Sequence, residues 1–462
     1  MSQEWYDLRE TLLFKTAPTE FAASCHEVRR QLLTRQARGN APSQAAVAAL
    51  TADLCLDLQS YLPHWHLQRP GAPERVAAGL LASEATAFRA LLTEWGALAE
   101  LERVRDEEAR LRRSNFLRLT RLADEGRVAT RWGYDYAHGI ASAMRRGALL
   151  VTTNPPLMNM IRKERPQQWE PVREELRREH PGSDRDRLAS LFSLRVVLEN
   201  CRILRPVYEA SGGRYGYVNL QVNPHAAQDA ARMAEDIEGL YDLLRERLGG
   251  TPNVVFKVPG TRAALETVRR VTGKGIGVTI TLGFSVDQHL AFAEAIEAGT
   301  APLSFLVMMN GRLDDPIRDE LAGLGLANAA ELAKWASTAV VRRSYDLLYR
   351  QGTPRRSALL IASLRGPWNV DSAITDEPAP VFITSFPDKT EEYDAQEREI
   401  VSHIAEPVAA ETLAGLRRSA LFRQAYEPGA IGVDGFDSYY PVAITLKAFA
   451  AAWDELAAWL AG

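Results

Sequence analysis

Residues Asn253–Leu282, NVVFKVPGTRAALETVRRVTGKGIGVTITL, contain two short runs of β-branched apolar residues separated by a helical pattern. Such runs predict buried strands, and the order strand, helix, strand predicts parallel strands joined by a crossover helix. One ionisable residue, Lys257, interrupts the first run. The segment therefore predicts a parallel sheet with a lysine inside one of its strands.

The same alternation extends on both sides of this segment, from about Val128 to Ser385. Eight candidate strands follow one another: VATRWGYD, ALLVTTN, YGYVNLQV, NVVFKV, GVTITL, LSFLVMM, ALLIAS and VFITS. Eight strand–helix units over ~300 residues are what a closed (β/α)8 barrel needs. We therefore predict an α/β fold, a (β/α)8 TIM barrel, with a doubly wound open sheet as the alternative.

Helical patterns surround the predicted barrel. Residues 1–127 place apolar residues at helical spacing, interrupted at Pro63, Pro70 and Pro73, and predict a helical N-terminal region of unknown role. The barrel is then expected over residues 128–462, with a helical insertion at about 158–212. Its last segment, ITLKAFAAAWDELAAWL, predicts an amphipathic C-terminal helix across one end of the barrel.

Composition excludes several classes of partner. Charged residues make up 25% of the chain and hydrophobic residues 46%, as in a soluble globular enzyme. The net charge of −4 provides no field that would attract nucleic acid, and no run approaches the ~18 apolar residues of a membrane span. Cys25, Cys55 and Cys201 are widely separated and no signal peptide precedes them, which predicts a cytoplasmic protein. No metal site is predicted, because His64 and His66 lack a third ligand nearby. The oligomeric state stays open, with a homo-oligomer as one option.

Polar residues stand at the end of almost every predicted strand. In a (β/α)8 barrel the reactive residues occupy the C-terminal ends of the strands and the loops that follow them. If the strands are real, these residues converge on one mouth: Asp135, Asn154, Gln221, Lys257, Thr281, Arg312, Ser363 and Arg365.

Lys257 gives the sharpest chemical prediction. Burial disfavours an ammonium, lowers the pKa of the lysine from ~10.4 and frees the amine to attack a carbonyl. The alternative is a structural lysine paired with a carboxylate of the barrel. We favour the nucleophile, because perturbed lysines at barrel mouths are typical of active sites.

Arg312 and Arg365 each follow a late strand, where barrels often bind phosphate. Two guanidinium groups and the hydroxyl of Ser363 would suit a phosphate dianion. A salt bridge from each arginine to a neighbouring acid is an equally good interpretation of the sequence.

Three motifs resemble the transaldolase family. TTNPPL at Thr152–Leu157 is similar to a loop of that family, NVVFKVPGT resembles its Schiff-base lysine strand, and GIGVTITLGFS resembles the next strand, all in the family's order and spacing. The resemblance spans about Val128 to Ser385. Pro156 departs from it, since the family has serine there.

The resemblance implies a role for each candidate residue. Lys257 would form an imine with a ketose phosphate, Asn154 would hold donor hydroxyls, and Asp135 would be the acid/base, with Tyr136 as a rival. Thr281 would hold a catalytic water with Gln221, and Arg312, Ser363 and Arg365 would bind the phosphate.

Gln221 departs from the usual transaldolase pattern, which has a glutamate there. Glutamine can hold a water but cannot take its proton. The related fructose-6-phosphate aldolase group also has glutamine, with a tyrosine on the sixth strand, where this chain has Met309; Val307 replaces a serine.

We therefore expect a transaldolase-like transferase that moves a dihydroxyacetone-type unit from a ketose phosphate to an aldehyde without a cofactor. Two alternatives remain: an aldolase or a specialised enzyme for another carbonyl substrate, and a barrel without turnover that serves as a scaffold.

Overall fold

The computed structural model describes residues 3–68, 76–352 and 356–462. Pro70, Pro73 and the side chain of His66, which entered the sequence predictions, lie outside the described part. Within it, no helix is both long and apolar enough to cross a membrane.

The eight predicted strands form a closed barrel. Each strand pairs in parallel with the next, and β8 pairs with β1 through contacts such as Trp132 with Ile383. The (β/α)8 prediction is therefore confirmed, and the open-sheet alternative is wrong. The strands are β1 Arg131–Tyr134, β2 Leu150–Val151, β3 Tyr217–Gln221, β4 Val254–Pro259, β5 Val278–Thr281, β6 Ser304–Met309, β7 Ser357–Ala362 and β8 Val381–Ser385.

Helices surround the barrel on all sides. Among the residues described, six precede β1: α1 Gln3–Glu10, α2 Phe21–Arg38, α3 Ala41–Leu58, α4 Ala78–Glu94, α5 Leu98–Arg113 and α6 Asn115–Asp124. Those between the strands are α7 Ile140–Arg145, α8 Pro155–Glu164, α9 Pro166–Glu179, α10 Arg185–Ala210, α11 Ala230–Leu248, α12 Ala264–Gly273, α13 Val286–Glu297, α14 Asn310–Gly323, α15 Ala329–Ala333, α16 Ala336–Tyr345 and α17 Pro367–Asp371. After β8 come α18 Pro387–Asp394, α19 Ala410–Leu416, α20 Ala420–Tyr426 and α21 Tyr440–Ala461. Short 3-10 or π turns lie at Thr11–Lys15, Pro18–Glu20, Leu62–Gln68, Pro224–Ala226, Asp346–Arg350 and Val433–Gly435.

The alternation of side chains along β4 determines which residues enter the barrel. Phe256 points outward, because its ring lies 6.5 Å from that of Tyr241 on α11. Successive side chains on a strand face opposite sides, so Lys257 points inward. Phe305 of β6 also faces the interior, since its ring reaches Phe382 of β8 across β7, 5.1 Å between centroids.

Buried ion pairs join the N-terminal helices to the barrel. Arg145 on α7 contacts Asp57 at 2.8 Å and Asp53 at 3.0 Å, both on α3. Asp57 also pairs with Arg9 of α1 at 3.2 Å, and Arg9, Asp57 and Arg145 are at most 3% exposed. Removing one partner of such a network leaves a buried charge uncompensated. We propose that residues 1–127 are a helical addition fixed to the barrel, and that residues 158–212, which contain most of α8 with α9 and α10, are an insertion.

The C-terminal helix α21 lies across the C-terminal end of the barrel. At its start, Tyr440 borders a cavity with Arg365, which follows β7. Near its end, Trp453 donates its Nε1 hydrogen to Asp186 of α10 at 3.1 Å, and the carbonyl of Ala452 accepts from Asn159 of α8. Both α8 and α10 begin at the C-terminal edge of the sheet, so the 22-residue helix extends from the β7 side to the β2–β3 side.

Candidate active site

Lys257 lies inside the barrel with its amine near the C-terminal edge. The side chain is 5% exposed, and Nζ donates to the carbonyl of Thr153 at 3.2 Å. Thr153 follows β2, so this bond passes over β3. Burial lowers the pKa of Lys257, and the nearby Asp135 carboxylate offsets part of that effect. Within the described residues no carboxylate lies within 4.0 Å of the amine, so the structural ion pair weighed as an alternative is absent there.

Asp135 follows β1 and is the acidic group whose charge acts on Lys257. Its backbone N–H donates to the carbonyl of Ser385 at 3.0 Å, and the hydroxyl of Thr152 donates to its carboxylate. Burial raises the pKa of Asp135, while the positive charge of Lys257 and the Thr152 hydrogen bond oppose the rise. These shifts bring the two pKa values towards each other, as in sites where protons are exchanged.

Tyr136, the rival acid/base, points to another environment. Its hydroxyl donates to Glu164 on α8, and its ring packs against Phe386 at 5.4 Å between centroids. Burial raises the pKa of Tyr136, with Glu164 adding to the rise. Its placement favours Asp135 as the group that faces the amine.

Three further predicted residues stand at or just after the C-terminal ends of β2, β3 and β5. Gln221 is its register partner on β3 and donates from Nε2 to the Lys257 carbonyl at 3.2 Å, while its buried Oε1 has no hydrogen-bond partner within the described part. Thr281 ends β5, and its hydroxyl contacts the sulfur of Met309 at 3.6 Å. Asn154 caps α8 by accepting from the N–H of Leu157 at 3.0 Å. Gln221, on the strand beside Lys257, thus leaves a buried polar atom that a water or a hydroxyl could engage.

The two predicted phosphate-binding arginines line one cavity of about 550 Å³. Arg365 pairs with Asp315 at 2.6 Å and approaches the hydroxyl of Ser363 at 3.4 Å. Arg312 has neither a hydrogen bond nor an ion pair among the residues described. Burial lowers the pKa of Arg312 and the charge of Arg365 lowers it further, with Asp315 opposing. A half-buried guanidinium without an acid attracts an anion, so the salt-bridge alternative holds for Arg365 alone.

Two residues that follow β5 and β7 have uncommon backbone conformations. Ser363 has a φ of +58° and Leu282, after β5, a φ of +55°. Residues other than glycine rarely adopt this left-handed backbone conformation unless the surrounding structure enforces it, and residues that do so cluster at functional sites. The carbonyl of Ser363 accepts from the N–H of Gly311 at 2.9 Å, which ties the loop after β7 to the start of α14. This tie fixes the position of Arg365 relative to Arg312.

Sequence reasoning missed four residues of the site. Thr152 and Thr153 contact Asp135 and Lys257; their position directly before Asn154 was the available signal. Asp315 stands three residues after Arg312, a helical spacing that could have been noticed. Tyr440 had no local signal, because only the path of α21 brings it to the cavity.

The fold and this geometry define a class: a (β/α)8 barrel with a buried lysine and a carboxylate at its mouth and two arginines that follow β6 and β7. A family model described as "Transaldolase/Fructose-6-phosphate aldolase" matches residues 140–458, more than half of the chain. The chain belongs to this family, and the predicted resemblance is confirmed. Asp135 and the six N-terminal helices precede the matched range.

Curated relatives agree with this assignment at low identity. A transaldolase of Mycobacterium ulcerans is 28% identical over 269 residues, covering 52% of this chain and 69% of that protein. Transaldolase 1 of Streptomyces avermitilis is 35% identical over 158 residues, covering 31% and 40%. Transaldolase 2 of Nostoc sp. is 41% identical over 90 residues, covering 20% and 22%. The chain is therefore a divergent member.

Proposed function

We propose that this protein is a transaldolase-like enzyme that forms a Schiff base between Lys257 and a ketose phosphate. The observation that carries the proposal is the amine of Lys257: inward-facing, 5% exposed, bonded only to a carbonyl in the described part, with its pKa lowered by burial. A neutral amine in such a site is a competent nucleophile for a carbonyl. The substrate is a small phosphorylated sugar, with Arg312, Ser363 and Arg365 as its phosphate ligands and Asn154 as the ligand of its hydroxyls.

The reaction follows from the placement of Lys257 and Asp135. The neutral amine adds to the ketone, and loss of water gives an iminium. Asp135 then takes the proton of the hydroxyl next to the breaking C–C bond, an aldehyde leaves, and the bonding electrons form a neutral enamine. Attack of the enamine on an acceptor aldehyde reverses these steps with a new partner and releases the transferred product.

Aldol cleavage without transfer is the second candidate function, and the position of Gln221 supports it. Its buried Oε1 lacks a partner within the described part and could accept a hydrogen bond from a water beside Lys257. In that reaction the protonated Asp135 returns its proton to the carbon of the enamine, which restores the iminium. Because an amide cannot remove a proton at neutral pH, the Asp135 carboxylate would then be the base for attack of water on the iminium. Product analysis with and without an acceptor aldehyde distinguishes the two reactions.

Borohydride trapping tests the proposal. The protein is incubated with a ketose phosphate and borohydride, and the reduced adduct is located by peptide mass. We expect the adduct on Lys257, none in Lys257→Met, and a wild-type level in Lys274→Ala. Lys274 is a suitable control because it follows α12, pairs with Glu238 on the outer helices and is exposed.

Wild-type protein that forms no adduct with any of a series of ketose phosphates would contradict the proposal. An unchanged adduct in Lys257→Met would contradict the choice of lysine. A scaffold protein without turnover would give neither adduct nor product.

A further inference from the structure

The cavity at Arg312 and Arg365 is far larger than a phosphate group. Its volume is about 550 Å³, within the range of about 300–1,000 Å³ that holds drug-sized ligands. Its lining residues come from α14, α20, α21 and the loop after β7, and none comes from the barrel interior. A phosphate held by the two arginines would leave most of this space, on the outer side of the barrel mouth, to water.

The wall on the α20–α21 side of this cavity is apolar. Tyr440 and Ile444 of α21 stand one helical turn apart and line it with Leu421 of α20. Tyr440 is 53% exposed, among the most exposed large hydrophobic side chains described. An exposed aromatic ring at the edge of a cavity offers a flat face for stacking, and exposed apolar surface of this kind marks binding sites.

The acidic residues of the cavity are already engaged. Glu320 caps α20 by accepting from the N–H groups of Ala420 at 2.9 Å and Leu421 at 3.1 Å. Asp319 pairs with Arg318 at 2.9 Å. Arg312, Arg365 and the paired Asp315 sum to one net positive charge, and the carboxylates of Asp319 and Glu320 line the same cavity. A phosphate monoester carries close to two negative charges near neutral pH, because its second pKa is ~6. A diester carries one, so the small positive charge of this lining favours the diester over the dianion.

We propose that the cavity is a subsite for a second substituent on the substrate's phosphate, so that the preferred substrate is a phosphate diester. Its inner ester group carries the carbonyl to Lys257, its phosphate lies on Arg312 and Arg365, and its outer group places a flat apolar face on Tyr440. This inference rests on the proposed function for the inner group only. The outer subsite is a property of the cavity and can be tested without catalysis.

Ligand binding tests the subsite directly. Methyl phenyl phosphate and dimethyl phosphate are both singly charged diesters, and only the first has an aromatic face. Ligand-observed NMR titration at millimolar concentration gives their dissociation constants. Aromatic contacts of this kind are worth about threefold to tenfold in affinity. We expect methyl phenyl phosphate to bind more tightly than dimethyl phosphate by that factor.

Two variants identify the residues responsible, and a third is their control. Tyr440→Ala should remove the preference and leave dimethyl phosphate binding unchanged, and Arg312→Met should weaken both ligands. Trp335→Ala, which removes an aromatic residue that is 42% exposed and does not line this cavity, should behave as wild type. Tyr440 is exposed, so its replacement leaves the fold intact.

The proposal is overturned if the two diesters bind equally, if neither binds, or if the preference persists in Tyr440→Ala. The probes carry no ketone, so their binding is independent of Lys257. A Tyr440-dependent preference without a Lys257 adduct would overturn the proposed reaction and retain the subsite. A Lys257 adduct without the preference would overturn the subsite and retain the proposed reaction.

Discussion

Gly311→Ala gives the sharpest test of the anion end. A Cβ at Gly311 would lie 2.1 Å from Cζ of Arg365 and 2.3 Å from its Nη1, far inside a van der Waals contact of about 3.5–4.0 Å. The clashing atoms are the far end of a flexible side chain, so the guanidinium of Arg365 moves and the backbone stays. We therefore expect a folded protein with a displaced phosphate ligand.

The size of the effect follows from the lost contact. A hydrogen bond to a charged group contributes about 1.5–3 kcal/mol, or roughly tenfold to hundredfold in affinity. The side chain of Arg365 is 37% exposed, so water screens the interaction and the expected loss lies near the lower end, about tenfold. Isothermal titration with inorganic phosphate measures it.

Gly323→Ala is the matched control, because Gly323 ends the same helix and a Cβ there meets no atom within 4 Å. It should bind phosphate as wild type does, with stability unchanged or raised by up to about 1 kcal/mol from the better helix former. Wild-type phosphate affinity in Gly311→Ala would refute the assignment of Arg365 as a phosphate ligand. Loss of cooperative thermal unfolding in Gly311→Ala would refute the claim that only the side chain moves.

Three further predictions concern buried ionisable groups. Lys257→Met removes an amine whose pKa is lowered by burial. At every pH below the ordinary lysine pKa of ~10.4, the unfolded chain binds the lysine proton more readily than the folded state does, which lowers the stability of the wild type. We therefore expect a Tm at neutral pH equal to wild type or higher by up to about 2 °C, and a lower Tm would contradict this account. Asp135→Asn removes the carboxylate that raises the Lys257 pKa, so Schiff-base trapping should begin at lower pH than in wild type. C–C cleavage should fall at least about 100-fold, because the general base is lost. Onset of trapping at a higher pH than in wild type would be evidence against the coupling of these two groups. Burial raises the pKa of Asp314 to about 7, and hydrogen bonds from Ser337 oppose this rise. Between pH 3.8 and 7 the folded state therefore holds a proton on Asp314 that the unfolded chain releases, so the free energy of unfolding should fall as pH rises through this range. Asp314→Asn should flatten that decline in a Tm series between pH 4 and 8, and an equally steep decline in the variant would refute the assignment.

The opposed shifts of Lys257 and Asp135 have one cause. Both groups are removed from water, which disfavours the charged form of each, so the carboxyl pKa rises and the amine pKa falls. Their mutual attraction opposes this effect without a direct ion pair in the described part. The two pKa values are therefore closer to each other than those of the same groups in water, which suits proton transfer.

The barrel was predictable because the strand signal is local. Each strand is a short apolar β-branched run between turn residues. Six of the eight strands fall within the predicted runs, and the other two, β4 and β7, extend one residue beyond theirs, to Pro259 and Ser357. Asp135, Gln221 and Thr281 could be identified for the same reason, since a polar residue at the end of a buried run has only the mouth of the barrel to face.

Other properties of the site depend on residues far apart in the chain. Whether Arg365 pairs with Asp315, and whether Arg312 lacks an acid, depends on how α14 packs beside the loop after β7, which no periodicity encodes. The amine of Lys257 meets the carbonyl of Thr153, 104 residues earlier, because β2 and β4 both pair with β3.

By itself, the sequence determined the strands, their parallel order and the polar residues that terminate them, because these features repeat within a few residues. Only the tertiary structure decided which charges meet and which stay unpaired, and that α21 brings Tyr440 to the arginines. Side-chain contacts between distant segments depend on packing in three dimensions, where a displacement of a few ångströms exchanges one partner for another.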